Sequence, residues 1–275
     1  MSSWVHGQLA AAVVIAPLAL AGTTGCPTPR GPNGAPTADP EHQSVAEFNL
    51  GRDSLDHGNF REALGHSLRA TQLDDQNARA TYLAAVVYLA FCNGLRGLAD
   101  PDCRLQDAEK YARKTVKLAP TYPDAKNLLG EVLINEERFA EAIDLLRPLT
   151  TDPSYGSIHL AWGNLGWAQV LAGDVDGGIS SLKNSVTEPR FCVGFYRLGI
   201  AYEKKGDLTQ ADANLTSAVD GEACKNFQDA FEERAKVRLK LGHAELARAD
   251  FERCKALTPD SLSGKRCTQS LEAKP

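Results

Sequence analysis

The stretch Phe195-Tyr-Arg-Leu-Gly-Ile-Ala-Tyr-Glu-Lys-Lys-Gly-Asp-Leu-Thr-Gln-Ala-Asp-Ala-Asn-Leu-Thr-Ser-Ala-Val219 decides the architecture. Read at helical spacing, Phe195, Leu198, Gly199 and Tyr202 share one face, and Gly206-Asp207 interrupts the run. Leu208, Ala211, Leu215 and Ala218 then form a second apolar stripe. Two amphipathic helices joined by a Gly-Asp turn make a helical hairpin. Gly199, Ala211 and Ala218 mark where its helices must approach closely, because a larger side chain would hold the axes apart.

Working outward, the same spacing recurs. The small residue of the first helix reappears as Gly51, Ala85, Gly130, Gly166, Gly199 and Ala235, at intervals of 34, 45, 36, 33 and 36. Its counterpart on the second helix lies 12 residues later in five units, as Ala63, Ala142, Gly178, Ala211 and Ala247. In the second unit it is Ala108, displaced by 11 further residues. Seven residues on stand Ala70, Thr115, Leu149, Ser185, Ala218 and Cys254. The inter-helix turns carry Gly58-Asn59, Glu137-Arg138, Gly173-Asp174, Gly206-Asp207 and Gly242-His243. This pattern resembles the tetratricopeptide repeat, an aromatic, Leu-Gly, an aromatic, Ala, a bulky apolar residue and Ala. One hairpin cannot bury its apolar face alone, so such units stack. The expectation is an all-α, right-handed solenoid of six helical hairpins over residues 44–260, with a polar C-terminal cap at 261–275.

The chain starts differently. Residues 1–25 contain no Asp, Glu, Lys or Arg, and Leu9 to Leu20 form an apolar run interrupted only by Pro17. That run is too short for a permanent span and suits a secretory signal peptide. Two processing readings stay open: an A-x-A site at Ala19-Leu20-Ala21, or a lipobox-like Thr23-Thr24-Gly25-Cys26 that would lipidate Cys26. Residues 26–43 carry five prolines among Gly, Thr and Asn, the composition of an extended tether.

Cysteine arithmetic bears on that choice. There are seven, and acylation of Cys26 leaves six, an even number suited to an oxidising compartment. Cys92 and Cys103 bracket the insertion of the second unit, so a Cys92–Cys103 bond would pinch it at its base. Cys192 and Cys224 lie about one repeat apart and suit a Cys192–Cys224 bond between neighbouring hairpins. A bond Cys254–Cys267 would fold the polar tail back onto the last helix. Zinc is disfavoured at the insertion, where there is no CxxC and no nearby His. No metal site is expected.

Nothing points to catalysis. GxSxG, P-loop, HExxH and dinucleotide fingerprints are absent, and the six histidines are scattered. No cofactor is expected, and a net charge of −5 without a basic stripe argues against nucleic acid. What remains is binding. In tetratricopeptide arrays, by resemblance, the first helices line the concave groove. Positions three before, one after and four after the small residue face it. Here they supply Tyr82, Val86, Leu89, Trp167, Val170, Tyr196 and Ile200, with Phe48, Asn127, Glu131, Ile134, Glu203, Glu232, Lys236 and Leu239 at other sites of the same register. The groove expected on this reading is mostly apolar and aromatic, the character of a partner-binding patch.

A lipobox-like Cys26, a short linker and six repeats with Gly199-Ile-Ala-Tyr-Glu-Lys-Lys-Gly-Asp-Leu-Thr-Gln-Ala resemble the type IV pilus biogenesis lipoproteins, the PilF/PilW/Tgl group of pilotins. The resemblance implies a lipid-anchored protein at the periplasmic face of the outer membrane. Its implied partner is the secretin subunit of the pilus, whose insertion and multimerisation it would promote for motility. The alternative is a periplasmic scaffold for other cell-envelope machinery.

Overall fold

The computed structural model describes residues 39–93 and 97–273. The leader, Cys26 and the linker up to residue 38 lie outside the described residues. Twelve helices pair as six hairpins: α1 (Pro40–Asp56) with α2 (Phe60–Leu73), α3 (Ala78–Cys92) with α4 (Leu105–Leu118), and α5 (Pro123–Asn135) with α6 (Phe139–Leu146). They continue with α7 (Ile158–Leu171) and α8 (Val175–Ser185), α9 (Cys192–Lys205) and α10 (Leu208–Ser217), and α11 (Gln228–Lys240) and α12 (Ala244–Leu257). A last helix, α13 (Leu262–Glu272), packs on α11 and α12. No strand occurs among the described residues, and none of their helices is long and apolar enough to cross a membrane.

Five of the six turns are the same device. The first or second residue after each helix end takes a left-handed φ: 75° at Gly58, 60° at Glu137, 96° at Gly173, 86° at Gly206 and 80° at Gly242. The next backbone N–H then reaches back five residues, at 2.8–2.9 Å: Asn59 to Ser54, Arg138 to Leu133, Asp174 to Gln169, Asp207 to Tyr202 and His243 to Arg238. This is the Schellman closure, which satisfies carbonyls that the helix end leaves open. The following helix starts at once, with Asp174 and Asp207 accepting from the backbone of Gly177 and Gln210 as N-caps. Glu137 alone holds the left-handed position without being glycine.

The small residues permit the close approach. A Cβ on Gly166 would stand 2.7 Å from Leu182 Cγ and 2.9 Å from Gly178 O. On Gly130 it would stand 2.6 Å from Leu146. Leu146, Leu182 and Leu215, each 16 residues after its glycine, are wholly buried, and each contributes about 2 kcal/mol of apolar burial. The core is a succession of clusters along the stack, each shared by adjacent hairpins, as expected when a repeat contacts only its neighbours.

One boundary differs from expectation. α1 begins at Pro40, inside the stretch expected to be linker. Asp39 caps it by accepting from Glu41 N, and proline at the first helical position costs no hydrogen bond. Ser44 is already buried, donating to Ala70 O at 2.8 Å. Pro148 does what a proline in a second helix should: α6 stops at Leu146 and a short 3-10 segment, Arg147–Thr151, replaces its last turn.

Three disulfides join Cys92 to Cys103, Cys192 to Cys224 and Cys254 to Cys267, with Cα separations of 4.5, 5.5 and 6.2 Å. The first closes the insertion, and by loop entropy a ring of that size stabilises by about 3 kcal/mol. Beyond it, Gly97 comes close to the far end of the stack, where a Cβ would lie 3.7 Å from Leu262 Cδ1 on α13. The cap is held by more than its disulfide. Arg266 donates from two nitrogens to the Glu232 carboxylate, both at 2.7 Å, and Ser263 donates to Asp229. In the last hairpins Asp250 accepts from Arg234 at 2.7 and 2.9 Å and from Arg238 at 2.8 Å, all three side chains being at least 87% shielded.

Candidate functional site

Each first helix packs against the first helix of the next hairpin, whereas no two second helices pack to a similar extent. The stack therefore bends toward the first helices, and α1, α3, α5, α7, α9 and α11 line its inner curve. A face built of helical hairpins offers side chains on a rigid frame rather than a deep pocket, and the residues on it decide what it can hold.

The residues assigned to the inner curve from register divide sharply. Tyr82, Val86, Trp167, Tyr196 and Ile200 keep part of their surface. Leu89 and Val170 do not, at 4% and 2% exposure, and their placement in a groove is corrected. At Leu89 and Val170 the position four after the small residue turns into the packing instead of the opening, whereas Leu239, at the same position in the last hairpin, stays 53% exposed. Val170 Cγ2 would stand 2.4 Å from a Cβ on Gly178, so it fills the space that glycine leaves. Ile134 is absorbed the same way. Phe48 is also buried, under the Arg79 guanidinium at 4.4 Å from its ring centre.

The aromatic residues that remain are braced by loops. Tyr82 meets Tyr122 with ring centres 5.1 Å apart, and Tyr196 meets Phe227 at 5.0 Å. Burial pushes the hydroxyl pKa of both Tyr82 and Tyr196 well above the ordinary value, so both stay neutral donors. Trp167 sits where two core clusters meet and packs against both.

Between these rings runs a polar chain that register did not reveal. Arg197 Nη1 donates to Asn164 Oδ1 at 2.7 Å, and Asn164 Nδ2 donates to Asn127 Oδ1 at 3.2 Å. The Arg197 guanidinium lies 5.8 Å from the Trp167 ring centre. Desolvation pulls its pKa down, opposed by the charge of Glu131 and by Tyr196. Glu131 in turn accepts from Asn93 Nδ2 at 3.3 Å. Toward the cap the charges pair off, Lys240 with Glu203 at 2.6 Å and Lys236 with Glu232 at 2.7 Å. The inner curve is thus aromatic and polar rather than mostly apolar. Asn164 and Arg197 both lie two residues before the small residue, a position left out of the register reading. The only signal for Arg197 in the sequence was a single cation between Tyr196 and Leu198 in an apolar window.

Among the described residues no group of three or more His, Cys, Asp or Glu side chains is placed to hold a metal ion.

Residues 104–155 match the tetratricopeptide repeat family model. No curated protein matches the chain in sequence. Among solved structures, the chain is similar to PilW, described as a widely conserved type IV pilus biogenesis factor. There the identity is 20% and the TM-score 0.65, covering 82% of this chain and 98% of that one. It is similar to PilF of Pseudomonas aeruginosa at 18% identity and a TM-score of 0.59, covering 84% and 99%. Human IFIT1, solved with a capped oligonucleotide, matches at 18% identity and a TM-score of 0.67, but over 53% of its length. At such identities the likeness establishes the fold: the chain is a tetratricopeptide-type helical solenoid.

Proposed function

We propose that the protein acts in type IV pilus biogenesis, as a non-catalytic assembly factor whose inner curve docks a secretin subunit and promotes its insertion and multimerisation. One observation carries this reading. The match to PilW and PilF takes in nearly the whole of those chains, 98% and 99%, and 82% and 84% of this one, whereas IFIT1 is matched over 53% of its length.

The sequence adds the means of placement. Lipidation of Cys26 would anchor the solenoid at the periplasmic face of the outer membrane, with the proline-rich linker as spacer. Three disulfides in the folded domain suit an oxidising compartment. Docking an unassembled subunit there would shield its unpaired strand edges until it joins the ring.

Deletion of the gene tests the role. Secretin monomers should persist while multimers disappear, and normal multimers in the deletion strain would refute it. A Cys26→Ser protein should leave the outer-membrane fraction; if it stays, the anchor is not a lipid on Cys26.

A further inference from the structure

We propose that the helical turn Gly97–Ala99 of the insertion and the cap helix α13 form a clasp, which closes hairpins two to six into a ring around the inner curve. The clasp is a device of the fold itself and goes beyond the docking reading above, since it holds the ring shut whatever partner the curve takes.

The argument starts from which parts of the stack meet. Helices in substantial contact belong to one hairpin, to adjacent hairpins or to the last hairpin and its cap, so packing between neighbours by itself builds an open arc. One approach breaks that rule. A Cβ on Gly97 would stand 3.7 Å from Leu262 Cδ1, in ordinary van der Waals contact, although Gly97 belongs to the second hairpin and Leu262 opens α13 at the far end. An arc whose two ends meet is a ring. Because the stack bends toward its first helices, their exposed faces lie inside it.

Both arms of the clasp are braced. The insertion is pinched by Cys92–Cys103, and its ends are tied to the hairpins on either side: Asp102 pairs with Arg61 of α2 at 2.7 Å, and Asn93 donates to Glu131 of α5 at 3.3 Å. On the other arm, Cys254–Cys267 and the Arg266–Glu232 pair hold α13. The turn before Leu262 is fixed by Gln228, which donates to the carbonyls of Cys254 and Thr258 at 2.6 and 3.0 Å and accepts from Ser261 at 2.7 Å. Two of the three disulfides thus stiffen the two surfaces that meet. The contact itself is slight: Leu262 stays 46% exposed and Leu98, beside Gly97, 62%. Apolar attraction scales with the area covered, so this contact yields before any hairpin interface does. Rigid arms joined by a weak contact part as units, which suits a ring that must open for a segment and then surround it.

Photo-cross-linking of the full chain provides the test, with p-benzoylphenylalanine in place of Leu98. Irradiation should give an intramolecular adduct that peptide mass spectrometry places within residues 259–266. Adducts confined to α2, α3 or α4, or no adduct, overturn the proposal. Leu262→Asp sets a charge against the apolar contact and should abolish the adduct. In the otherwise unaltered chain, Leu262→Asp and, on the opposite arm, Leu98→Asp should each raise the radius of gyration in small-angle X-ray scattering while the helical circular dichroism stays unchanged. Both positions are well exposed, so neither change disturbs the core. Wild-type dimensions in both variants would show that the contact holds nothing shut, and would overturn the clasp. The docking reading fails separately, on normal secretin multimers in the deletion strain, whatever the adduct shows.

Discussion

Gly166→Ala and Gly65→Ala are the same chemical change on two helices of one domain, and the structure gives them opposite signs. At Gly166 a Cβ would meet Leu182 Cγ at 2.7 Å and the backbone of Gly178 and Leu182 at 2.9 Å, where ordinary contact is 3.4–4 Å. Backbone cannot rotate aside, so α7 and α8 must part by about half an ångström, and overpacking of this kind costs about 1–3 kcal/mol. Alanine's better helix propensity returns about 1 kcal/mol. With backbone on two of the three contacts the upper part of that range applies, leaving a net loss of about 1–2 kcal/mol. At Gly65, in α2, the nearest atom is the end of the flexible Arg69 side chain at 3.5 Å, so only the propensity gain of about 0.5–1 kcal/mol remains. For a domain of this size 1 kcal/mol moves Tm by about 2–4 °C. Thermal and urea unfolding followed by far-ultraviolet circular dichroism should therefore place Gly166→Ala below wild type and Gly65→Ala above it. Ala85 and Ala235 hold the same register position, so alanine is not excluded there in principle. The fourth hairpin is distinct because Gly166 faces Gly178, and the axes close further when neither carries a Cβ. If Gly166→Ala unfolds at or above the wild-type temperature, close approach is not what demands that glycine.

Three further outcomes follow from local geometry. Glu137→Gly relieves a left-handed residue that is exposed and has no side-chain hydrogen bond, against the looser unfolded chain that glycine brings, for a net gain of about 0.5–1 kcal/mol in the same melts. Asp250→Ala strands Arg234 and lengthens the reach of Arg238, and should cost about 3–5 kcal/mol, whereas Asp250→Ala with Arg234→Met should recover part of that loss in a double-mutant cycle. Burial raises the Glu232 pKa, but the hydrogen bonds from Arg266 and Lys236 outweigh it, so the folded value lies below the ordinary 4.5. Its contribution is therefore complete above 4.5 and fades as pH falls through the folded value, so the protection of α13 amides, relative to their intrinsic exchange rates, should drop in acid before the rest of the stack opens. Glu232→Gln should remove that acid step, and equal α13 protection at neutral and acid pH would refute the clamp.

The fold was legible because close helix approach writes itself into sequence. Gly130, Gly166 and Gly199 each face a leucine 16 residues later that fills the space where a Cβ would stand, and the same close approach sets the 12-residue spacing of small residues that made the register visible. The turns were legible for the same kind of reason: a left-handed residue favours glycine, and Glu137 could be aligned only because its four equivalents are glycine. The start of α1 was less so. Pro40 looks like one more proline of the tether, and only Asp39 ahead of it and buried Ser44 after it mark a helix. Cysteine pairing was readable where bond and architecture coincide, as at the base of an insertion or between equivalent helix starts.

The inner curve was harder, because register assigns a direction but not a depth. Val170 turns into the gap at Gly178 instead of the opening, while Arg197 was passed over although it joins Asn164 on the curve. The difference changes what the face can select. An apolar curve would accept any greasy segment and discriminate weakly, since a methylene more or less is worth little. A curve whose middle holds Asn127, Asn164 and Arg197 imposes a penalty on any occupant that covers those polar groups without satisfying them. Tyr82, Val86, Trp167 and Ile200 can supply contact area, but the polar chain constrains register, because a shifted segment would set apolar atoms against its polar groups. Docking on such a surface is therefore specific at one point and permissive around it, and substitutions at Arg197 should alter which segment binds more than how much surface it covers.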